Sequence, residues 1–258
     1  MENVMNDTGV FEEVGGLRVA GETAATRVAI AGATGYAGAE LVKILSRHPR
    51  AIITGSFSSE SFSVEAVLQA RAEVVFLATP NEVSAEVVPQ LLDAGMKVID
   101  LSGAFRLGEP DLYPSWYGFT HKEPKLLAEA VYGLSEWCNG ELKTARLVAN
   151  PGCYPTSVLL GLRPLTYLID RTQPVIVDSK SGVSGAGKKA DVAFSFAELS
   201  GNFKAYGVGH HRHEQRSGRD CTSASGRRSC TCRISCRRSG ASTPRCTSDS
   251  PSRSAMRR

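Results

Sequence analysis

"RVAIAGATGYAGAELVKILSRHP", residues Arg27 to Pro49, decides the fold. Val28 to Ala31 make a short apolar run of the buried-strand kind. Gly32, Gly35 and Gly38 follow at three-residue spacing, and then Leu41, Val42 and Leu45 recur with a helical period. The order is strand, turn, helix. Glycines placed straight after a strand let the backbone approach a phosphate closely, and the N-terminus of the following helix supplies N–H groups and partial positive charge. Gly32 to Gly38, with Thr34 and Tyr36 among them, therefore form a candidate dinucleotide-binding turn. The spacing is G-x-x-G-x-x-G rather than the commoner G-x-G-x-x-G, and a tight turn without a ligand is the alternative.

The same rhythm continues outward from that stretch. "AIITGSF" reads as a second strand, "SVEAVLQA" as a short helix and "EVVFLATP" as a third strand. "NEVSAEVVPQLLDAG" reads as a helix with Asn81 as N-cap and Gly95 closing it, and "MKVIDLSG" as a fourth strand. Strands alternating with helices predict an α/β fold, a doubly wound parallel sheet covered on both faces. After Phe105 the chain becomes loop-rich and aromatic, and "RLVAN" then supplies another strand. The turn at Cys153, a helix starting at Pro155 and the strand "PVIVDSKSG" follow. These divisions predict a loose extension over residues 1–26, a dinucleotide-binding domain over 27–152 and the start of an α+β substrate domain over 153–213.

From Glu214 the character breaks. Residues 214–258 are mostly Arg, Ser, Cys, Thr and Gly, with Ile234 as their one branched aliphatic residue. They show no sustained period of either kind and cannot bury a face, which predicts a disordered tail. The formal net charge of +4 hides the same split: residues 214–258 hold eleven arginines against three acids, whereas the first 213 residues hold 19 basic against 23 acidic residues. The folded part therefore has no electrostatic case for nucleic acid. Five of the seven cysteines also lie in the tail. Only Cys138 and Cys153 remain, as a reducing, cytoplasmic setting permits. The N-terminus lacks a signal-peptide pattern, and no apolar run is long enough to span a membrane.

Cys153 is the candidate nucleophile. It stands in "ANPGCYPTSVLLGL" at the start of a helix, where uncapped N–H groups favour a negatively charged sulfur; an inert packed cysteine is the alternative. Cys138, in "SEWCNGEL", reads as packing or surface. His210, His211 and His213 flank Arg212 in "YGVGHHRHE". The imidazoles suit acid–base work and the guanidinium an anion, with a solvated basic loop as the alternative. No metal is expected, because the tail cysteines stand at no recognisable ligand spacing. Arg106, in "DLSGAFR", follows the fourth strand, where ligands collect in such sheets, with a surface arginine as the alternative. Ser58 and Ser59 lie about twenty residues past Gly38, where a ribose 2′-phosphate would sit, but Glu60 beside them leaves NAD against NADP open. "SGVSGAGKK", holding Ser184, Gly185, Lys188 and Lys189, is a second glycine-rich turn suited to phosphate or amide, with a flexible loop as the alternative.

Taken together, "GATGYAGAEL", "VVFLATPNEVS", "DLSGAFR", "WYGFTH", "YGLSEW", "NPGCYPT", "SGVSGAGKK" and "YGVGHHRH" resemble the N-acetyl-gamma-glutamyl-phosphate reductase family, relatives of aspartate-semialdehyde dehydrogenase, from about Arg27 to His213. The resemblance implies an NADPH-dependent cytoplasmic enzyme of arginine biosynthesis acting on a small acyl phosphate. It makes Cys153 the nucleophile, His213 or His211 the acid–base group, and Arg106 and Arg212 contacts to substrate anions. Gly32 to Gly38, with Ser58 and Ser59, would hold the phosphates of NADP, and Ser184 and Gly185 its nicotinamide side.

Two departures from the family stand out. Residues 58–71 are shorter than the family's segment near the adenine, and after His213 the strands and helix that complete the substrate domain are missing. A shift of reading frame near Glu214 would account for the tail's composition. The elements expected to form a homo-oligomer contact are among those missing. An aspartate-semialdehyde-type dehydrogenase and a non-catalytic NADP- or nucleic-acid-binding protein are the alternative readings.

Overall fold

A computed structural model describes residues 25–138, 140–169, 175–188, 190–202 and 204–206, and residues 233–238 as backbone. The chain forms two compact units, Met1–Thr156 and Ser157–Arg258. Of the extension expected over residues 1–26, residues 1–24 lie outside the described residues, while Thr26 already opens the first strand.

The first unit is built on β1 (Thr26–Ala31), β2 (Ala51–Phe57), β3 (Val74–Leu77), β4 (Lys97–Asp100), β5 (Val131–Tyr132) and β6 (Leu147–Ala149). Their order in the sheet is β2-β1-β3-β4-β6-β5, and every neighbouring pair is parallel. Val28, Ala29, Ile30 and Ala31 are consecutive and all buried. Successive side chains of a strand point to opposite faces, so the sheet is covered on both, as the unbroken apolar run predicts. The helices are α1 (Tyr36–Leu45), α2 (Val64–Gln69), α3 (Asn81–Asp93), α4 (Tyr113–Tyr117), α5 (Pro124–Glu129) and α6 (Glu141–Thr144). Val67 of α2 and Val88, Leu91 and Leu92 of α3 pack with Val75, Leu77, Val98 and Leu147 in one apolar core.

Local signals set most boundaries. Ser63 caps α2, its hydroxyl accepting from the Ala66 N–H at 3.1 Å. Gly95, at φ +83°, closes α3 in the left-handed conformation that glycine adopts freely. Asn81, in contrast, does not cap α3. It is the first residue of that helix, after Pro80, and its Oδ1 accepts from the Gly103 N–H at 2.8 Å. A tertiary donor thus takes the side chain that local sequence assigned to the helix end. The next helix, α7 (Cys153–Leu162), begins two residues before the expected Pro155, so the thiol belongs to the first helical residue. Pro155 still falls within the first turn, where its missing N–H costs no intrahelical bond.

The boundary between the units falls inside α7. The second unit holds the rest of that helix, β7 (Ile176–Lys180), α8 (Phe196–Leu199), β8 (Lys204–Tyr206) and β9 (Arg233–Arg238). β9 lies between β7 and β8, parallel to the first and antiparallel to the second. Six residues of the stretch expected to be disordered therefore form the middle strand of a small sheet. Main-chain pairing makes few demands on side-chain type, and Ile234 and Cys236 alternate with Arg233, Ser235 and Arg237 at the strand period. The rest of residues 214–258 lie outside the described residues. Among the described residues, Val158 and Leu159 are this unit's only buried hydrophobics, while Tyr167, Val192 and Phe196 are 80%, 78% and 84% exposed.

Candidate active site

The strands β1, β3, β4 and β6 run parallel, so the turns that leave them gather at one edge of the sheet. The glycine turn leaves β1 where the strand order reverses, between β1 and β3, the position at which such sheets open a crevice. Gly32 has φ +77°, and a Cβ there would lie 2.3 Å from the Ala78 carbonyl oxygen at the end of β3. A Cβ on Gly38 would lie 2.1 Å from the Gly32 oxygen. These two glycines are fixed by close packing of strand end, turn and helix. Gly35 differs, since its Cβ would meet the Gly32 oxygen at 3.3 Å and has room on its other sides. It is the N-cap residue of α1 and supplies no side-chain cap, which leaves the start of the helix to an outside acceptor. The residues present thus fit a bound pyrophosphate.

Ser58 and Ser59 follow β2 at the same edge. The Ser58 hydroxyl accepts from the Glu60 and Ser61 N–H groups, both at 3.3 Å, and the Ser58 N–H donates to Ser61 Oγ at 2.9 Å. Ser59 is exposed beside this closed turn.

Cys153 is exposed, although Gly152 before it and Tyr154 after it are buried. The main chain presents the thiol by an anchored path. The Asn150 N–H donates to the Asp100 carbonyl at 2.8 Å, and Asn150 Nδ2 donates to the Pro151 carbonyl at 3.1 Å. Arg106 completes the anchoring: its Nε donates to the Asn150 carbonyl at 2.8 Å and its Nη2 to the Leu101 carbonyl at 2.6 Å. Sequence alone left Arg106 between surface and ligand. Here it is 8% exposed and holds two main-chain carbonyls.

Sequence reasoning passed over the polar residues beneath that arginine. Asp100, the last residue of β4, is wholly buried. Its Oδ1 accepts from the Ser102 N–H at 3.0 Å and its Oδ2 from the Ser102 hydroxyl at 2.7 Å, with a further hydrogen bond from Ser84. Burial pushes this carboxyl above the usual carboxylate range, against the hydrogen bonds from Ser102 and Ser84 and the nearby Arg106 charge. The signal was present in "DLSGAFR": an acid ending an apolar strand, with a serine two residues on and an arginine six residues on, reads as a hydrogen-bonded turn around a charge pair.

His121 was also passed over. It is 5% exposed and packed among the rings of Phe105, Tyr113 and Phe119. Its Nδ1 accepts from the Glu123 N–H at 3.1 Å, and desolvation lowers its pKa. Cys138 is half-buried, and its thiol donates to the Tyr132 carbonyl at 3.3 Å.

Ser184 and Gly185 lie in the second unit, in a 3₁₀ turn over Val183–Ala186 that follows β7. A cavity of about 350 Å³ in that unit is lined by Ser157, Val158, Gly161 and Leu162 of α7 together with Val175, Val177, Asp178 and Ser179. His210, His211, Arg212, His213 and Lys189 lie outside the described residues. Among the described residues no helix is long and apolar enough to cross a membrane.

Residues 27–145 match the semialdehyde dehydrogenase NAD-binding domain, and residues 153–232 match the semialdehyde dehydrogenase dimerisation domain. The N-acetyl-gamma-glutamyl-phosphate reductase of Salmonella typhi is 46% identical over 212 residues, covering 72% of this chain and 63% of the relative. Those of Nitrosospira multiformis and Halorhodospira halophila are 44% and 46% identical over 208 and 209 residues, covering 72% of this chain and 61% and 60% of theirs. The chain thus spans about three fifths of the length of the curated relatives it matches. Among solved structures, aspartate semialdehyde dehydrogenase II from Vibrio cholerae superposes with a TM-score of 0.57 at 18% identity, over 83% of this chain and 70% of that one. The NADP-bound aspartate semialdehyde dehydrogenase from Candida albicans gives 0.52 at 13% identity, over 84% and 68%. With both domain matches in order along one chain, this protein belongs to the semialdehyde dehydrogenase family, and its sequence relatives are N-acetyl-gamma-glutamyl-phosphate reductases.

Proposed function

We propose that this chain is a cytoplasmic, NADPH-dependent reductase of arginine biosynthesis that converts N-acetyl-gamma-glutamyl phosphate to N-acetylglutamate semialdehyde and phosphate. The observation that carries the reading is the exposed Cys153 at the first residue of a ten-residue helix, on the sheet edge that also bears the glycine turn.

The Cys153 thiolate attacks the acyl carbon; a carbon–sulfur bond forms, the bond to the phosphate oxygen breaks, and phosphate leaves. NADPH, when bound, supplies the hydride that reduces the resulting thioester. The carbon–sulfur bond then breaks, the aldehyde departs and the thiolate is restored. Splitting one difficult displacement into two steps lowers each barrier. The α1 N-terminus and Gly32 to Gly38 would hold the pyrophosphate, Ser58 and Ser59 the 2′-phosphate, and Ser184 with Gly185 the nicotinamide side. His213, or His211 beside it, would move the proton, and Arg212 would meet a substrate anion. The family's dimerisation-domain match supports a homo-oligomer.

Replacing Cys153 by Ser tests this directly. C153S is expected to lower phosphate-dependent NADP reduction with N-acetylglutamate semialdehyde by about 10³-fold or more, leaving NADPH binding intact. Retained turnover would sink the assignment. The same assay with aspartate semialdehyde decides the substrate.

A further inference from the structure

We propose that Asn81 is a positioning residue for Arg106, holding the turn after β4 so that the unfilled edge of the guanidinium is set for a substrate anion; the inference rests on reading Arg106 as an anion contact. The Nε–H and Nη2–H edge of Arg106 is taken by the carbonyls of Asn150, at 2.8 Å, and Leu101, at 2.6 Å. The edge between the two Nη nitrogens remains, and it has no acceptor among the described residues. Such an edge grips a carboxylate or phosphate in bidentate fashion. Its aim depends on where the main chain of Arg106 is fixed.

The turn is held from two sides. From within, Ser102 donates to Asp100, and its hydroxyl accepts from the Ala104 N–H at 3.0 Å. From α3, Asn81 Oδ1 accepts from the Gly103 N–H at 2.8 Å, and the Gly103 carbonyl in turn accepts from the Arg106 N–H at 3.3 Å. One residue, Gly103, therefore joins the Asn81 side chain to the backbone of Arg106. The Tyr117 ring lies so close to this glycine that a Cβ on it would strike the ring. Asn81 is itself firmly placed. It is the first residue of α3, straight after Pro80, and Ser84 in the same helix is wholly buried and bonded to Thr79, at 2.8 Å, and to Asp100. The end of β3 just before it carries Ala78, whose carbonyl packs on Gly32 of the glycine turn. Asn81 thus stands on the strand end that supports the glycine turn and passes that placement on to Arg106.

The test compares Asn81→Leu, Arg106→Lys and the pair in the full chain, in phosphate-dependent NADP reduction with N-acetylglutamate semialdehyde. Leucine keeps the volume of Asn81 and loses its acceptor; lysine keeps the charge of Arg106 and loses the planar fork. One hydrogen bond of this kind changes an equilibrium about two- to tenfold. N81L is therefore expected to raise, by about fivefold, the same KM that R106K raises, for phosphate or for the semialdehyde, with KM for NADP and kcat each within about twofold. In the double variant the two losses should not add, leaving it within about twofold of R106K. A merely structural loss lowers the amount of active enzyme and moves no KM. The proposal is overturned by native KM values in N81L, by a rise in any KM other than the one R106K raises, or by full addition of the two losses.

Binding answers the same question without turnover. The Arg106 side-chain resonances of the native chain are expected to move when inorganic phosphate or N-acetylglutamate semialdehyde is added, and N81L to weaken that Kd about fivefold. If the native chain turns over neither N-acetylglutamate semialdehyde nor aspartate semialdehyde, the reductase reading fails by itself and this titration decides the role of Asn81. Arg106 resonances that respond to neither probe, or an unchanged Kd in N81L, overturn the proposal. Should N81L not fold, the native protein decides: a Gly103 N–H protected from exchange supports the proposal, and one that exchanges as fast as an unstructured amide refutes it.

Discussion

Asp100 has no exposed surface, and burial raises its pKa. In the unfolded chain the same carboxyl titrates in the usual range. Over the window between the two values the folded state therefore binds the proton more readily, and stability rises as pH falls through it. An Asp100→Asn variant lacks this titration. The expected outcome is that the native chain gains stability relative to D100N as pH is lowered through the raised Asp100 pKa toward the ordinary value, with no further gain below it. Urea unfolding of both proteins across that range checks the sign. A difference that is flat with pH would mean that Asp100 titrates normally in the fold. Sequence named Cys153 and Arg106 as site residues, and both lie at the expected edge of the sheet. Ser84 escaped because it reaches Asp100 from α3, a partner revealed only once helix and sheet are packed, whereas the Asp100–Ser102 turn was legible in "DLSGAFR" and was passed over.

At the scale of elements, the opening stretch carried its own fold. β1, the glycine turn and α1 needed only the local pattern, whereas α3 lost its expected cap because the loop after β4 claims Asn81. The glycine turn also shows which of its glycines are structural. Gly38→Ala places a methyl 2.1 Å from the Gly32 oxygen, while Gly35→Ala meets that oxygen at 3.3 Å. Overpacking of this kind costs about 1–3 kcal/mol, so G38A is expected to lose that much and G35A far less. Denaturant melts separate the two. Equal losses would show that α1 shifts easily away from the strand end. β5, two residues long, had no signal of its own and exists through its pairing with β6.

For the whole molecule, the division at Thr156 contrasts a well-filled first unit with a second that buries few of its described apolar residues. Charge and composition made the break at Glu214 plain, yet they hid β9, since the main-chain bonding that defines a strand leaves little mark on composition. Proline lacks the N–H that a middle strand donates and costs about 3 kcal/mol or more inside regular structure. Ile234→Pro, opposite Val177 in the β7 register, is therefore expected to speed amide exchange in β7, with β1 amides as the internal reference. Unchanged β7 protection would show that the strand does not pair in solution.

The Arg106 clamp also orders events in time. Its acceptor Asn150 lies 44 residues further along the chain, past α4, α5, β5 and α6, and β4 meets β6 across the same gap. Contacts so distant in sequence form late, after loop closure has been met by local structure. On the ribosome, the glycine turn can assemble while Cys153 is still unsynthesised; the thiol acquires its setting only when β6, the last parallel neighbour of β4, docks. A chain stalled before that step would carry a finished glycine turn and a cysteine with no fixed address.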